Sequence, residues 1–192
     1  PATLARLYQH APTFAPMHRL LDETIRRLPH KHGLRILEIG AGTGGTSAWL
    51  LPHLGENCEY VFTDVSAHFF DAARQRFAAY PCLQFRKLDI EQPPQTQGFE
   101  AGRYDLVVAS NVLHATRDLA ATVGHARSLL APGGQLLLVE GTAPRRWIDL
   151  IFGLLEGWWA FADHALRPYY PCCPPNAGRN CSPHRISTPW QP

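Results

Sequence analysis

The chain has 192 residues, 45% of them hydrophobic, and a formal net charge of +2 at pH 7. That length supports one domain with a proper core and is too short for two ordinary domains. The small charge, with no run of Lys or Arg longer than two, excludes the electrostatic footprint of a nucleic-acid binder.

Membrane, targeting and metal-binding segments are not expected. The most apolar region, Trp147 to Ala162, is interrupted by two acidic residues and is too short to span a bilayer. Three cysteines near the end, between residues 172 and 181, lack CxxC spacing, which argues against a zinc site and against a disulfide framework. We therefore expect a reduced, cytoplasmic protein without a bound metal. Because the chain begins at Pro1 and not at a methionine, we also expect it to be a fragment of something longer.

The first 33 residues predict a lid segment and an entry helix. Apolar residues recur at helical spacing between Pro16 and Leu28, and Pro29 is a stop signal. The preceding segment, Leu4 to Phe14, either caps the sheet or closes over a ligand, and the pattern does not distinguish the two.

A glycine-rich loop follows the first predicted strand. Leu34 to Ile39 has the apolar run of a parallel strand that is buried on both faces, and four of the next six residues are glycine. Glycines allow positive φ and bring backbone N–H groups close to a ligand. A helix starting at Thr46 would point its N-terminus at the same ligand. The pattern predicts a site for a nucleotide-like molecule.

The second predicted strand, Glu59 to Asp64, ends in an acid. In a Rossmann-like unit the carboxylate about twenty residues past the glycines accepts hydrogen bonds from ribose hydroxyls, and Asp64 lies at that position. The alternative is an ordinary turn aspartate or helix cap. A helix follows, with Ser66 as a candidate N-cap and with one apolar stripe made of Phe70, Ala73 and Phe77.

Three further strands complete an alternating pattern. They are predicted at Leu83 to Leu88, Tyr104 to Ala109 and Gln135 to Glu140, with a helix from Leu119 to Leu130 whose inward residues are Leu119, Val123, Ala126 and Leu130. This alternation predicts an α/β fold: a doubly wound, mostly parallel Rossmann-like sheet with helices on both faces. Ligands of such sheets bind at the carboxyl ends of the strands, so we expect one crevice lined by Gly40 to Gly44, Asp64, Asp89, Asn111 to His114 and Glu140.

The glycine loop fits two templates. Gly40, Gly42 and Gly45 match the GxGxxG of a dinucleotide-binding oxidoreductase, whereas Glu38 followed by alternating glycines matches the E-x-G-x-G-x-G of S-adenosylmethionine (SAM) methyltransferases. The stretch from Leu130 to Leu136 resembles the L-x-P-G-G turn that precedes the fifth strand of class I methyltransferases. This resemblance favours SAM.

Longer strings narrow the resemblance. Residues 8–12 (YQHAP), 110–116 (SNVLHAT) and 139–140 (VE), together with the glycine loop, resemble the C-methyltransferase domain of polyketide synthases from about Leu4 to about Arg167. The resemblance implies transfer of a methyl group from SAM to the α-carbon of a β-ketoacyl thioester held on an acyl carrier protein, alongside neighbouring synthase domains. It also implies a catalytic dyad, which maps onto His114 and Glu140.

The residue types suit that chemistry. Removing a proton next to a thioester carbonyl needs a base, and imidazole, with a reference pKa of about 6.5, is available at neutral pH. A neighbouring carboxylate can fix the tautomer and stabilise the imidazolium that forms. Asn111 or a backbone N–H is the candidate donor for the enolate. A histidine after a strand is more often an ordinary polar residue, and a strand-end glutamate often caps a helix.

The resemblance supplies the remaining site assignments. The expected cofactor-binding residues are Glu38, Gly40, Ala41, Gly42, Gly44, Asp64, Asp89 and Asn111. Glu38 would bond loop backbone or the cofactor amine, and Asp89 would meet the adenine amino group. Tyr8 is a candidate substrate contact because it lies in the lid segment that resembles the family. Trp158 is another, because the apolar stretch from Trp147 to Phe161 fits an acyl channel as well as it fits a buried core.

The composition changes at Pro168. Seven prolines and no apolar period follow up to Pro192, so this segment forms neither a helix nor a central strand. Methyltransferases of this class usually finish with a helix and an antiparallel hairpin, which we expect to be missing after truncation or a frameshift. The expected divisions are 1–33 for the lid and entry helix, 34–167 for the methyltransferase core and 168–192 for the tail.

Three other functions stay open from the sequence. An O- or N-methyltransferase on a small molecule would share the cofactor residues without needing His114 as a carbon-acid base. An NAD(P)-dependent oxidoreductase would use the same glycine loop. A remnant without catalysis would bind the cofactor, or only hold neighbouring domains apart.

Overall fold

The computed structural model describes residues 23–26, 33–55, 57–144 and 146–172. Among these, residues up to 110 together with 125–139 form one compact unit, here called the sheet unit. Residues 111–124 and 140–172 form the other, here called the second unit. Residues 23–26 are helical, whereas the rest of the predicted entry helix, Tyr8 and the tail beyond residue 172 lie outside the described residues.

The sheet unit contains a five-stranded sheet in the order β3-β2-β1-β4-β5. Every pair of neighbouring strands is parallel. The strands are β1 Arg35–Ile39, β2 Glu59–Asp64, β3 Leu83–Lys87, β4 Tyr104–Ser110 and β5 Leu130–Val139. The strand order reverses at β1, which is the topological switch point of a doubly wound fold. The α/β class predicted from the alternation of strands and helices is confirmed.

Besides the helical residues 23–26, four α-helices lie between or after the strands in the described part of the chain. They are α1 Gly45–Leu50, α2 Phe70–Arg76, α3 Leu119–Ser128 and α4 Arg146–Phe152. A short 3-10 turn, Ala67–Phe69, precedes α2, and the Ser66 hydroxyl accepts the N–H of His68 at 3.2 Å. Ser66 is thus the N-cap that its residue type predicts, placed at the 3-10 turn.

The core of the sheet unit lies around the three central strands. Ile36 and Leu37 of β1 are fully buried, as is the run from Leu106 to Ala109 in β4. Consecutive strand residues point to opposite faces of the sheet, so the burial of these runs means that both faces are covered. Phe62 of β2 packs against Phe70 at 6.0 Å and against Phe85 at 5.2 Å between ring centroids. The predicted apolar stripe of α2 therefore faces the sheet.

The predicted end of α3 was wrong. The helix stops at Ser128, and Leu130 instead begins β5, where it pairs with Tyr104. The turn of Pro132, Gly133 and Gly134 lies inside β5 as a register irregularity. Proline has no N–H to give to the ladder, so the strand accommodates it as a bulge. The helical positions that are buried are Thr122 and Ala126, not Leu119 or Val123.

Two ion pairs join the amino ends of the central strands. Arg35 binds Asp105 through Nε at 3.0 Å and Nη2 at 2.8 Å, which lowers the pKa of the Asp105 carboxyl. Arg103 binds both oxygens of Glu59 at 3.1 and 2.8 Å. Bidentate pairs of this kind align strands more precisely than a single contact does. They hold the end of the sheet that is opposite the glycine loop.

The glycine loop leaves no room for a side chain at Gly44. Its φ is +75°, and a Cβ there would lie 2.6 Å from Cε2 and 2.9 Å from Cζ of the Phe77 ring. We expect Gly44→Ala to lower the free energy of unfolding by about 2–4 kcal/mol, because left-handed backbone and overpacking each cost about 1–3 kcal/mol. Urea unfolding followed by circular dichroism measures the change.

Gly124→Ala is the matched control for that substitution. Gly124 lies within α3, and a Cβ there would meet nothing within 4 Å. Alanine at an open helical position should raise stability by up to about 1 kcal/mol. Equal and small effects of the two substitutions would contradict the close packing at Gly44.

Candidate functional site

The glycine loop between β1 and α1 is fixed by its own backbone N–H groups. The Ala41 N–H donates to the Thr63 carbonyl at 2.8 Å, and the Gly44 N–H donates to the Ala41 carbonyl at 2.8 Å. The Gly42 N–H donates to Oδ2 of Asp64 at 3.0 Å. A pyrophosphate needs free N–H donors, and these three already have protein acceptors. The loop therefore suits close approach of a ligand to its backbone better than it suits phosphate binding.

Asp64 stands at the carboxyl end of β2, where the sequence predicted a ribose-binding acid. The residue is 7% exposed, and its Oδ1 accepts the Ser66 N–H at 2.9 Å while Oδ2 accepts the Gly42 N–H. Two backbone bonds hold the carboxylate in one orientation. Each oxygen keeps a second lone pair, which can accept a ligand hydroxyl.

Glu38 is the most enclosed acid of the described residues. It is 1% exposed, and its Oε2 accepts hydrogen bonds from the hydroxyls of Ser47 and Tyr60, the latter at 2.6 Å. Burial raises the pKa of Glu38 to about 7, although the bonds from Ser47 and Tyr60 oppose the rise. Burial also raises the pKa of Tyr60. The structure thus places Glu38 in the core beneath the loop, with two hydroxyl partners that the sequence did not predict.

Asp89 follows β3 in a segment held by the side chain of Gln97. The Gln97 amide binds the Asp89 backbone on both sides, accepting its N–H at 2.8 Å and donating to its carbonyl at 2.8 Å. The Asp89 carboxylate accepts the Glu91 N–H at 3.0 Å. The sequence did not predict this role of Gln97, because the residue lies in a polar loop after β3 without a recognisable motif. In the structure it ends a 3-10 turn, Pro94–Gln97.

In the second unit, the turn after β4 places His114 against Glu140. The distance from Nδ1 of His114 to Oε2 of Glu140 is 2.6 Å. The other carboxylate oxygen, Oε1, accepts the N–H groups of Val112 at 2.9 Å and Leu113 at 2.7 Å. An ionised carboxylate only accepts, so this contact selects the tautomer of neutral imidazole that carries its proton on Nδ1 and presents a lone pair on Nε2. This tautomer is the one that a general base needs.

The turn that carries His114 starts with an unusual backbone conformation. Asn111 has φ of +55°, the one non-glycine residue with positive φ in the described part of the chain. Asparagine tolerates this left-handed region better than most residues. A 3-10 turn, Leu113–Ala115, follows and brings His114 round to Glu140. Asn111 thus begins the sharp turn that His114 needs.

An aromatic residue, Trp158, packs against the His114 ring. Trp158 lies edge-on to it, with 5.1 Å between ring centroids and 66° between the planes, and is stacked on Phe152 at 5.7 Å. Trp158 is 7% exposed, and its Nε1 is buried without a hydrogen-bond partner among the described residues. Elsewhere in this stretch, the side chains of Leu150 and Leu154 face solvent. Only part of the apolar stretch is therefore core.

Arg167 and Asp163 are two residues of the second unit that the sequence did not single out. Arg167 is 1% exposed and donates to the His114 carbonyl at 2.8 Å and to the Thr116 carbonyl at 2.7 Å. Its Nε binds Oδ1 of Asp163 at 2.6 Å. No periodicity or motif predicts these contacts, because they join a side chain to carbonyls about fifty residues away.

The predicted site residues therefore divide between the two units. The sheet unit contains Glu38, Gly40, Ala41, Gly42, Gly44, Asp64 and Asp89, and the second unit contains Asn111, His114, Glu140 and Trp158. Direct bonds join Gly42 to Asp64 and His114 to Glu140. Tyr8 lies outside the described residues. The described residues contain no cluster of three metal-binding side chains, and none of their helices has both the length and the apolar character that crossing a bilayer requires.

One protein family matches more than half of the chain, including most of the sheet. Residues 37–136 match the family described as "Methyltransferase domain". The squalestatin tetraketide synthase of Phoma sp. (strain C2932) is 46% identical over 167 residues, which is 83% of this chain and 6% of that protein. Methyltransferase calH of Penicillium decumbens is 51% identical over 148 residues, 74% of this chain and 40% of that protein.

Solved structures agree with these relatives. The CurJ carbon methyltransferase superposes with a TM-score of 0.89 at 47% identity, covering 94% of this chain and 49% of that one. The trans-methyltransferase CalH, solved as a complex with SAH, gives a TM-score of 0.82 at 43% identity, covering 93% of this chain and 50% of that one. The chain spans half or less of each relative.

The buried Glu38 carboxyl makes stability depend on pH. Its folded-state pKa is raised from 4.5 to about 7, so the protonated form is favoured on folding. That contribution is complete below about pH 4.5 and is lost as the pH rises through about 7. Glu38→Gln removes the titration. We expect the stability of the variant relative to wild type to increase between pH 5 and pH 8, by up to about 3 kcal/mol.

Urea unfolding at the two pH values measures this difference. Glu100→Gln is the control, because the Glu100 side chain is largely exposed and pairs only with Arg103 in an exposed contact. The control should show the same small offset at both pH values. A Glu38→Gln offset that is equally independent of pH would contradict burial as the source of the raised pKa.

Proposed function

Because the chain belongs to the methyltransferase domain family, we propose that it methylates the α-carbon of a β-ketoacyl thioester, with SAM as the methyl donor. The observation that carries the proposal is the 2.6 Å contact between Nδ1 of His114 and Oε2 of Glu140. An α-carbon between two carbonyls must lose a proton before it attacks a methyl group. A histidine with its tautomer set by a carboxylate is a suitable base.

The proposed reaction has two steps, removal of the α-proton by His114 and transfer of the methyl group. Nε2 of His114 takes the α-proton, and the electrons of the C–H bond form an enolate. Glu140 stabilises the resulting imidazolium through the bond to Nδ1. The enolate carbon then forms a bond to the methyl group as the bond from methyl to sulfur breaks, and that electron pair returns to sulfur. SAM supplies an electrophilic methyl group whose sulfonium is an excellent leaving group.

The sheet unit supports SAM over a dinucleotide. The N–H groups of Ala41, Gly42 and Gly44 have protein acceptors, which leaves them unavailable to a pyrophosphate. Asp64 has lone pairs for ribose hydroxyls, as the predicted role requires. We assign Glu38, Gly40 and Ala41 to the shape of the loop around the cofactor, and Asp89 to its adenine. SAH in the CalH complex is what SAM becomes after giving up its methyl group.

The surroundings of His114 support an acyl substrate. Trp158 offers a buried indole N–H without a partner among the described residues, and an unpaired donor beside a base is suited to a thioester or ketone oxygen. Asn111 is the other candidate donor to the enolate. Tyr8 remains a candidate substrate contact from the sequence alone.

The relatives support a carrier-bound substrate. One of them is a tetraketide synthase, and the resemblance to polyketide synthase domains implies an acyl chain held as a thioester on an acyl carrier protein. We therefore propose an acyl carrier protein and neighbouring synthase domains as partners. A cytoplasmic location stays a prediction from the cysteine pattern.

His114→Ala should abolish carbon methylation without loss of SAM binding. We expect the rate of methyl transfer to a β-ketoacyl N-acetylcysteamine thioester to fall by roughly 10²–10⁴-fold, which is the usual contribution of a general base. Mass spectrometry of the product measures the rate, and calorimetric titration measures SAM affinity. Exchange of the α-proton in deuterated water without SAM isolates proton removal and should fall equally.

His53→Ala is the control, because His53 is exposed and its Nδ1 contacts the carbonyl of Trp49, four residues earlier in the chain, at 2.8 Å. It should leave both rates near wild type. Carbon methylation by His114→Ala at the wild-type rate would end the proposed mechanism. A product methylated on oxygen or nitrogen would instead favour the small-molecule alternative.

A further inference from the structure

Arg167 is an arginine with almost no exposure to water. Only 1% of its surface is accessible, and it is the largest fully buried side chain of the described residues. Removing a guanidinium from water costs several kcal/mol unless its N–H groups find acceptors. The contacts of the buried guanidinium must therefore offset this cost.

The contacts of Arg167 converge on the turn that carries His114. Nη1 donates to the His114 carbonyl at 2.8 Å, and Nη2 donates to the Thr116 carbonyl at 2.7 Å. Longer bonds reach the carbonyls of Arg117 at 3.3 Å and Pro171 at 3.4 Å. The planar fork of arginine thus binds the carbonyl of His114 and those of Thr116 and Arg117, which follow it, in a fixed geometry that a single ammonium group does not have.

Asp163 holds Arg167 and the end of the same turn together. Its Oδ1 accepts from Nε of Arg167 at 2.6 Å, and its Oδ2 accepts the Leu119 N–H at the start of α3 at 3.0 Å. The neighbouring Ala162 N–H donates to the Arg117 carbonyl at 2.8 Å. The segment from 162 to 167 is therefore joined to the backbone from His114 to Leu119 by five hydrogen bonds.

We infer that Arg167, oriented by Asp163, is a positioning residue for His114. The inference rests on the proposed function, in which His114 is the base. Glu140 fixes Nδ1 of the imidazole, Trp158 packs against the ring, and Arg167 fixes the carbonyl of the same residue. Without Arg167 the backbone of the turn moves, and Nε2 no longer points consistently at the α-proton. Misplacement of about 1 Å can cost roughly 10²-fold in rate.

Arg167→Lys in the full chain is the first variant to test. We expect kcat for α-proton exchange to fall by roughly 10²-fold, while KM for the thioester and the affinity for SAM change little. Proton NMR of the wild type should show a downfield signal for the Nδ1–H of His114 that His114→Ala removes, and Arg167→Lys should broaden or lose this signal. Wild-type kcat with an unchanged signal would overturn the inference.

Arg103→Lys is the matched control, because Arg103 also makes a bidentate pair, with Glu59, in the sheet unit. It should cost stability without changing exchange or the His114 signal. If Arg103→Lys lowers kcat as much as Arg167→Lys does, the loss of rate is not specific to the contacts of Arg167 with the His114 turn, and the inference fails.

Chemical rescue separates positioning from folding. Arg167→Ala should regain exchange when millimolar guanidinium is added and should not respond to ammonium. A variant that loses exchange, SAM affinity and cooperative melting together, without rescue, has a structural defect, and this overturns the inference. If the wild type itself neither exchanges nor methylates the thioester, the proposed function fails, and the NMR comparison still decides whether Arg167 orients His114.

Discussion

The burial of the Glu38 carboxyl group is the constraint on which the glycine loop depends. A carboxyl group inside a sheet is costly unless it is hydrogen-bonded, and its partners come from β2 through Tyr60 and from α1 through Ser47. The three elements must meet at one point for the group to be satisfied. The Thr63 hydroxyl, which donates to the Glu38 carbonyl at 2.6 Å, adds a further link between β1 and β2. Both ends of the loop are therefore fixed before any ligand binds.

The carboxylate of Glu140 is also held by hydrogen bonds, but its partners are backbone N–H groups and an imidazole. Its Oε1 takes two backbone N–H groups of the turn after β4, which leaves Oε2 for the imidazole of His114. The carboxylate is 20% exposed at its side chain, whereas Glu38 is enclosed. Enclosure with hydroxyl donors suits a group that only holds elements together. A carboxylate whose orientation is set by backbone, with one oxygen reserved, suits a group that orients a base.

The sequence predicted the sheet well because the three central strands β2, β1 and β4 carry apolar runs, which burial on both faces leaves as a signature. The edge strand β3 alternates apolar and polar residues over Leu83 to Phe85 instead. The sequence prediction failed at Leu130, where a proline and two glycines suggested a break, because a parallel strand can absorb such residues as a bulge. His114 and Glu140 were found through a motif and a strand end. Tyr60, Gln97 and Arg167 were missed, because a hydrogen bond between residues far apart in the chain imposes no local pattern.

Residues 110–116 are not sufficient to define the geometry of their own turn. The string contains His114 and the turn, but the hydrogen bonds that fix the turn come from Glu140, Asp163 and Arg167. In a chain with the same string and an unpaired or absent arginine, we expect the proposed base to be present without the backbone contacts that fix its position. Since general-base catalysis depends on distance and angle as well as on residue type, the string alone does not identify an active enzyme. If Arg167 positions His114 as we infer, the buried arginine and its aspartate are the additional residues that such a judgement needs.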